Sequence, residues 1–318
     1  MKAAVVRSFE EPPAYEEFET PVPIDGEMLI KVLAAGLHNR VRTSAKGSHY
    51  TSTGQLPVIP GLDGIGTGPD GELRYFVLHD TRFGSLAEKV VIDPRASVVL
   101  PSGTDVLTVA AAMNPAMGSW IALRKRIAFE EGQKVLVLGA TGNSGQMAVQ
   151  IAKHLGAGQV IGVGRNPGRL KVLAHLGADR AVSLSGDPDG VEAELGAAAA
   201  DTDVVLDFLW GEVTQFVMPA VLKHRADDAA NLTWVQIGSM AGLEITIPSA
   251  WLRAMRITIV GSGQGSVSPK EIIADMPTLA AEITSGSYVI DPLPTPLGAV
   301  REVWDAPAEA GQRIVFVP

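Results

Sequence analysis

KVLVLGATGNSGQMAVQIAKHLGAGQVIGVGRNPGRLKVLAHLGAD, from Lys134 to Asp179, is the stretch that decides the fold of this chain. It begins with the uninterrupted apolar run Val135 to Leu138, which is typical of a parallel strand buried on both faces. A glycine-rich turn, a helical pattern that Gly156 ends, and a second apolar strand from Gln159 to Gly164 follow in order. The stretch therefore predicts consecutive strand and helix units of a doubly wound α/β sheet.

The turn after the first strand carries the spacing of a dinucleotide-binding fingerprint. It follows A-x-G-x-x-G, with Ala140 in the first glycine position of G-x-G-x-x-G. Gly142 would let the backbone approach a pyrophosphate, and Gly145 would let the helix pack close to the strand. The alternative is an ordinary structural turn, but the strand before it and the helix after it favour a cofactor site. The residues expected to bind the cofactor here are Ala140, Thr141, Gly142, Asn143, Ser144 and Gly145.

The end of the second strand predicts which cofactor is bound. An NAD site places Asp or Glu about 20 residues past the glycines, where it holds the ribose hydroxyls. This chain has Gly164, Arg165 and Asn166 there instead, and Asn166 followed by Pro167 predicts the start of a helix. Arg169 lies one helical turn further on. Because a guanidinium group suits a 2'-phosphate, these residues predict NADPH. The alternative is that both arginines are solvated residues at the start of a helix.

The composition excludes several classes of protein. With 318 residues, 46% hydrophobic and 19% charged, the chain can bury a sizeable core and is long enough for two domains. No cationic leader and no apolar run of roughly 18 residues is found, so we expect a soluble, cytoplasmic protein with no membrane partner. Its net charge of -9, without a basic stripe, argues against nucleic acid as a partner.

Cysteine is absent from the sequence, and this removes much of the usual chemistry of active sites. Disulfides, thiolate nucleophiles and cysteine-based zinc sites are excluded together. None of the six histidines pairs with another at the i, i+4 spacing of a helical metal site. We therefore expect no metal ion.

The pattern of apolar runs divides the chain into three parts. Short β runs separated by Pro and Gly, typical of antiparallel β architecture, extend to about Pro101: Lys2 to Val6, Met28 to Ala34 and Leu86 to Ile92. Four further apolar strands continue the α/β alternation after Gly164: Ala181 to Leu184, Val204 to Leu206, Leu232 to Ile237 and Ile257 to Val260. The last part predicts a helix, a Pro-rich connection and a closing strand: Pro269 to Ser285, the prolines 292, 294 and 296, and Arg313 to Val317.

Several segments, in this order and spacing, resemble the medium-chain dehydrogenase/reductase superfamily, in particular its zinc-free quinone oxidoreductase-like branch. They are MKAAVV at the start, LPVIPGLDGIG at 56–66, GATGNSGQMAVQIAKHLGA at 139–157, LGAD at 176–179, DVVLD at 203–207, VQIGS at 235–239, VGS at 260–262 and GQRIVFV at 311–317. The resemblance implies a Rossmann doubly wound parallel sheet inserted into a GroES-like β domain. We expect the boundaries 1–117, 118–264 and 265–318, a cofactor in the cleft between the domains, and a homodimer.

The resemblance also implies a function, namely NADPH-dependent reduction of a quinone or an α,β-unsaturated carbonyl compound. Two alternatives stay open: an NADPH-binding sensor or structural protein without turnover, and a zinc-independent reductase of simple ketones or of an acyl intermediate. In the register of zinc-dependent relatives, His38 takes the place of the first metal cysteine and Leu62 that of a second ligand, so zinc is not expected. The Asn-Pro-x-Asp stretch common in quinone oxidoreductases is also absent at residues 38–41.

Three candidate catalytic residues lie in segments that the resemblance places around the cleft. Tyr50, His38 and Asn114 could each donate a hydrogen bond to a carbonyl or a developing enolate, with Tyr50 as the first choice. Tyr50 could instead cover the loop after Gly47, His38 could be a satisfied buried histidine, and Asn114 before Pro115 could form a turn. Backbone contacts to the nicotinamide are expected from Gly238, Ser239, Gly261, Ser262 and Gly263, for which simple turns after strands are the alternative.

Overall fold

The structure is a computed structural model that describes residues 1–49, 52, 54–78, 81–306 and 312–318. It divides into two compact units, one formed by Met1–Asn114 with Ile273–Pro318 and the other by Pro115–Ile272. Both ends of the chain thus belong to one unit, and the other unit is inserted between them. The divisions lie three and eight residues from the expected boundaries after 117 and 264.

The strands and helices alternate most regularly in the inserted unit. The strands are β1 Lys2–Val5, β2 Ala14–Glu17, β3 Met28–Gly36, β4 Asp63–Thr67, β5 Leu73–Val77, β6 Lys89–Ile92, β7 Ser97–Val99, β8 Lys134–Leu138, β9 Gln159–Gly164, β10 Arg180–Ser183, β11 Val204–Asp207, β12 Leu232–Gln236, β13 Ile257–Gly261, β14 Asp291–Pro296 and β15 Gln312–Val317. The helices are α1 Asn39–Ala45, α2 Val106–Ile121, α3 Asn143–His154, α4 Pro167–Leu173, α5 Pro188–Ala199, α6 Gly211–Lys223, α7 Ser249–Ala254, α8 Pro269–Thr284 and α9 Val300–Val303.

The inserted unit contains a six-stranded sheet in the order β10-β9-β8-β11-β12-β13, with every pair parallel. This is the strand order of a doubly wound nucleotide-binding fold, so the predicted fold is confirmed. Val135 to Leu138 and Val204 to Leu206 are almost completely buried because helices cover both faces of a parallel sheet. The central pair, β8 and β11, marks the point where the strand order reverses.

The unit formed by the two chain ends contains a mostly antiparallel sheet organised around β3. Along its length β3 pairs with β6 through residues 28–31, with β4 through residues 31–34 and with β15 through residues 35–36. Its core contains Phe76, Trp304 and Phe316, all at most 1% exposed. The β architecture expected for the first hundred residues and the closing strand are therefore both present.

The Pro-rich segment near the end of the chain is a strand, not the connection expected from sequence. Asp291–Pro296 forms β14, which runs parallel to β15 at the edge of the sheet. Prolines occupy every second position, 292, 294 and 296. In a strand, alternate residues direct their N-H groups to the same side. The three prolines, which have no N-H, can therefore all occupy positions whose N-H would point away from β15. An edge strand tolerates this pattern.

The helix from Val106 to Arg126, which is α2 followed by a π-helical turn over Ala122–Arg126, is long and apolar enough to cross a membrane by length and composition alone. From the sequence we expected no apolar run long enough to cross a membrane. However, 67% of its most apolar window is buried within the protein, as in the core helix of a globular domain. Burial against the protein accounts for its composition without a membrane.

Candidate functional site

The glycine turn lies at the carboxyl end of β8 and leads directly into α3. Helix α3 begins at Asn143 after Gly142, which has no side chain to cap it, and its first turn contains no acidic residue. A Cβ atom on Gly145 would lie 2.6 Å from Ala140 Cα, so the helix can pack this close to the turn only because residue 145 is glycine. The amides of the first turn have no intrahelical acceptor and can therefore bind an anion.

Arg165 and Arg169 follow β9 and differ in their surroundings. Arg169 is half-buried, and its Nη1 donates a hydrogen bond to the carbonyl of Thr141 at 2.8 Å, which ties it to the glycine turn. Burial lowers the pKa of Arg169 below its usual value. Arg165 is exposed, and its side chain makes no ion pair within the described part of the chain. Asn166 caps α4 by accepting from the Arg169 amide at 3.1 Å, as the sequence predicts.

The predicted residues after β12 and β13 lie at the same edge of the sheet as the glycine turn, because all six strands are parallel. The two loops are connected through Gln236, which accepts from the Ser262 amide at 2.8 Å and donates from Nε2 to the Gly238 carbonyl at 3.0 Å. Ser239 is exposed, whereas Ser262 is buried. The Gly261 carbonyl accepts from Arg126 Nε at 2.7 Å. Their role toward the nicotinamide stays a prediction.

Asp207, at the end of β11, is a buried carboxylate that the sequence analysis did not single out. It is 0% exposed, and its Oδ1 accepts from the backbone amides of Leu209 and Trp210, each at 2.9 Å. Its Oδ2 accepts from Thr214 Oγ1 at 2.6 Å and from Trp234 Nε1 at 2.9 Å. Its position in the sequence could have indicated a role at the site, because an acidic residue that ends a buried strand lies at the ligand-binding edge of the sheet.

Trp210 has a backbone conformation that is rare for any residue with a side chain. Its φ of 53° and ψ of -159° make it the sole non-glycine residue with positive φ in the described ranges. Such a conformation costs on the order of 1–3 kcal/mol and persists only where the surroundings hold it in place. The hydrogen bond from its amide to Asp207 is one such constraint.

The unit formed by the chain ends contains a second buried polar group, centred on His38. His38 is 4% exposed, and its Nε2 lies 3.0 Å from Asp63 Oδ1. Asp63 is 2% exposed, and its Oδ2 accepts from the hydroxyl of Tyr75 at 3.0 Å. His38, Asp63 and Tyr75 therefore form a buried chain of hydrogen bonds, of which the sequence predicted His38 alone.

Burial dominates the electrostatics of this group. It lowers the pKa of His38 below its usual value, although the hydrogen bond and charge of Asp63 oppose the shift. It also raises the pKa of Tyr75 well above its usual range and lowers the pKa of the nearby Arg313 to about 10. Opposite a carboxylate oxygen, the neutral ring of His38 carries its proton on Nε2, which leaves Nδ1 as an acceptor. The predicted role as a donor would require a second proton, which burial disfavours.

Of the other two predicted catalytic residues, Asn114 lies within the described part of the chain. Asn114 is half-buried within α2, so the turn considered as its alternative is wrong. Its neighbours Ala112 and Met113 are almost completely buried, and this packing holds the helix across Pro115. Tyr50 lies outside the described residues.

Comparisons with known proteins agree with this architecture. A family model for zinc-binding dehydrogenases matches residues 145–285. A probable NADPH-dependent quinone reductase of Emericella nidulans is 32% identical over 363 aligned positions, which cover 100% of both chains. The chain belongs to the medium-chain dehydrogenase/reductase superfamily, quinone oxidoreductase-like.

Other members of the superfamily are similar over part or all of the chain. A 2-methylene-furan-3-one reductase of Solanum lycopersicum is 27% identical over 177 residues, 51% of this chain and 45% of that protein. The solved quinone oxidoreductase of Thermus thermophilus, also determined in complex with NADPH, is 23% identical and superimposes over 100% of both chains with a TM-score of 0.80. This likeness confirms the fold.

The donor atoms of this medium-chain dehydrogenase/reductase do not fit the zinc ion that the name of the family model implies. The chain has no cysteine, and among the described residues no group of three or more His, Asp or Glu could hold a metal ion. The Nε2 of His38 already faces Asp63, and the adjacent Leu62 has no ligand atom. A buried, hydrogen-bonded histidine and aspartate pair therefore occupies the segment where zinc-dependent members bind the metal.

The depressed pKa of His38 predicts a pH dependence of stability. The unfolded chain binds a proton on this ring near pH 6.5, whereas the folded chain binds it only at lower pH, so stability falls as the pH drops below about 6.5. One such proton contributes a slope of at most about 1.4 kcal/mol per pH unit. His38→Gln, which retains a donor toward Asp63, should reduce this slope in urea unfolding measured from pH 7.5 to about 5.

A matched control for this prediction is His175→Gln, because His175 is exposed. It should leave the slope of the wild type unchanged. Equal slopes for wild type and His38→Gln would mean that His38 does not titrate differently in the folded and unfolded chains.

Proposed function

We propose that this chain is a soluble, cytoplasmic NADPH-dependent oxidoreductase that transfers hydride to a quinone or an α,β-unsaturated carbonyl compound without a metal ion. One observation carries the proposal: the uncapped glycine turn at the reversal point of the sheet is followed, at the end of β9, by Arg165 and Arg169 where an NAD site would have a carboxylate. The full-length relative named as an NADPH-dependent quinone reductase supports the same cofactor and substrate class.

The residues present fit a phosphorylated dinucleotide. A Cβ at position 145 would clash with the turn against which α3 packs, and the first turn of α3 contains no acidic residue. We assign the pyrophosphate to the backbone of Thr141 to Gly145 and the 2'-phosphate to the exposed guanidinium of Arg165. Arg169 holds the Thr141 carbonyl and places its own positive charge beside the same turn.

Bound NADPH would supply the hydride, and the protein would supply position and electrostatic stabilisation. In the proposed reaction, negative charge develops on the acceptor oxygen and needs a hydrogen-bond donor. Tyr50 is the first candidate for that donor, and Asn114 is the second. His38, whose neutral ring presents an acceptor at Nδ1, is better suited to orienting a hydroxyl or a water molecule than to donating a proton.

The donor chemistry of the chain supports the proposed metal independence. A catalytic zinc site needs three protein ligands that hold the ion and leave one position open. His38 is paired with Asp63, and the chain has neither a cysteine nor a ligand at Leu62 to complete such a set. We therefore propose that a positioned cofactor and hydrogen-bond donors are sufficient for the reaction.

The cofactor assignment predicts the effect of removing one guanidinium group. Arg165→Ala should weaken NADPH binding about tenfold or more, because a charge-assisted hydrogen bond is lost, and should leave NADH binding unchanged. Isothermal titration calorimetry with both nucleotides measures the two affinities. Arg180→Ala, at the opposite end of the neighbouring strand β10 and equally exposed, is the matched control. An unchanged NADPH to NADH ratio in Arg165→Ala would contradict the assignment.

The substrate class predicts which acceptors are reduced. We expect the purified protein to oxidise NADPH with quinones or enones, to be inactive with saturated ketones, and to retain this activity after dialysis against a chelator. Loss of NADPH absorbance with a panel of the three acceptor classes measures this. NADPH binding without oxidation by any acceptor would favour a sensor or structural role, and ketone reduction alone would favour the third alternative.

We also propose that the chain forms a homodimer through the edge of the six-stranded sheet, with a second copy as the partner. β13 is an edge strand, and α7 next to it buries none of its residues. Leu252 in α7 is 53% exposed, and Met240 and Leu243, in the loop that leads from β12 to α7, are 62% and 83% exposed. Pairing of two such edges would bury this surface and satisfy the open backbone groups.

The dimer proposal predicts the effect of a proline at one position. The Arg256 carbonyl and the Ser262 amide face β12 and form hydrogen bonds with it. Ile259 is an odd number of residues away from both, so its N-H points to the other side of β13, toward the open edge. Ile259→Pro should therefore leave the contact with β12 intact but prevent pairing with a second edge. Light scattering should give 33.4 kDa for this variant and twice that mass for wild type and the control Ile259→Val. A dimeric Ile259→Pro variant would contradict the proposed edge.

A further inference from the structure

The turn from Phe208 to Gly211 joins β11 to α6 and lies against the glycine turn. A Cβ atom at Gly139 would be 3.1 Å from Leu209 Cγ and 3.4 Å from Phe208 Cβ. These two side chains therefore lie against Gly139, two residues before the segment Thr141 to Gly145 to which we assign the pyrophosphate. Because β8 and β11 are neighbours where the strand order reverses, both turns border the crevice in which such folds bind nucleotides.

The same turn is held from the side of β12. The amides of Ile237 and Gly238 donate to the Asp207 carbonyl, at 2.7 and 3.1 Å, and the amide of Ala241 donates to the Leu209 carbonyl at 2.7 Å. The turn is thus fixed between the glycine turn on one side and the loop after β12 on the other. A change in its backbone would reach both sets of predicted cofactor contacts.

Trp210 is the strained residue of this turn, and the Asp207 carboxylate offsets the strain. Glycine at position 210 would adopt the observed φ and ψ without the steric cost of a Cβ atom. The chain instead has tryptophan there, together with a fully buried carboxylate that accepts the Trp210 amide and is fixed by Thr214 and Trp234. The buried Asp207 carboxylate therefore stabilises the conformation of the turn, although burying such a group is itself unfavourable.

We propose that Asp207 is a positioning residue for the dinucleotide: it holds Trp210 in a conformation that otherwise only glycine adopts, and so keeps the Phe208 to Gly211 turn in the shape that fits the cofactor against the glycine turn. This inference rests on the proposed NADPH binding. It assigns to Asp207 no contact with the cofactor itself. Its consequence is that the effect of Asp207 on affinity depends on which residue occupies position 210.

A double-mutant cycle tests this dependence, with NADPH affinity from calorimetry as the readout. Asp207→Asn should weaken binding about tenfold, because an NH2 group in place of Oδ2 cannot accept from Trp234 Nε1, and the side chain that holds the Trp210 amide is then no longer fixed in place. In a Trp210→Gly background the same substitution should change the affinity less than about twofold, because glycine keeps the turn without the carboxylate. Equal losses in the two backgrounds would overturn the proposal, since Asp207 would then act independently of the strained residue.

Two further variants keep the test decisive. Thr214→Val removes one donor to Asp207 while conserving shape, and it should weaken binding about threefold in the wild-type background but not with glycine at 210. It replaces Asp207→Asn if that variant does not fold. Asp203→Asn is the matched control, because Asp203 precedes the same strand at its other end and accepts the Lys134 amide. It should leave NADPH affinity unchanged.

The outcomes separate this inference from the proposed function. Wild-type protein that binds no NADPH would overturn both. Wild-type protein that binds NADPH, together with Asp207→Asn and Thr214→Val variants that bind it equally well, would overturn the positioning role of Asp207 alone. An affinity loss with Asp203→Asn as large as with Asp207→Asn would also overturn it, since general destabilisation would then explain both.

Discussion

The reversal of strand order between β8 and β11 is the constraint on which the rest of the inserted unit depends. All six strands are parallel, so every strand ends at the same edge, and the helices that follow β8 and β11 diverge from the point of reversal. The glycine turn, the two arginines after β9 and the loops after β12 and β13 therefore gather at one edge, although they are distant in the sequence. The residues that follow each strand then determine only which functional groups that strand end contributes to the edge.

Close backbone approach is the second feature of this edge, and it depends on single residues. Gly145 brings α3 within reach of the turn, and Gly139 leaves room for Leu209. A buried carboxylate is costly unless its oxygens are fully hydrogen-bonded, and the donors to Asp207 come from its own turn, from α6 and from β12. One side chain thus links three elements around the crevice, at the edge where a dinucleotide would need a preformed surface.

Much of this unit was predictable from sequence because its signals are local. Uninterrupted apolar runs predicted the buried strands, and Asn166 followed by Pro167 predicted the start of α4. The failures have a different origin. The prolines at 292, 294 and 296 suit an edge strand only once β15 is known to lie on one side of them, and Asn114 before Pro115 is helical because its neighbours are buried. The strain at Trp210 could not be predicted either, since it arises from contacts with distant segments.

The group around His38 shows why the chemistry of the site could be predicted only in part from the sequence. The resemblance selected His38 by its register and implied a donor role. However, Asp63, which bonds His38, Tyr75, which bonds Asp63, and Arg313, whose charge lowers the pKa of His38, lie on the three strands β4, β5 and β15. Burial outweighs the attraction of Asp63 and favours the neutral ring, whose Nδ1 is able to accept a hydrogen bond. In the proposed reaction, we therefore expect the proton that reaches the reduced acceptor to come from water or from a hydroxyl group. Among the residues that the sequence singled out, this leaves Tyr50 as the side chain with the appropriate chemistry.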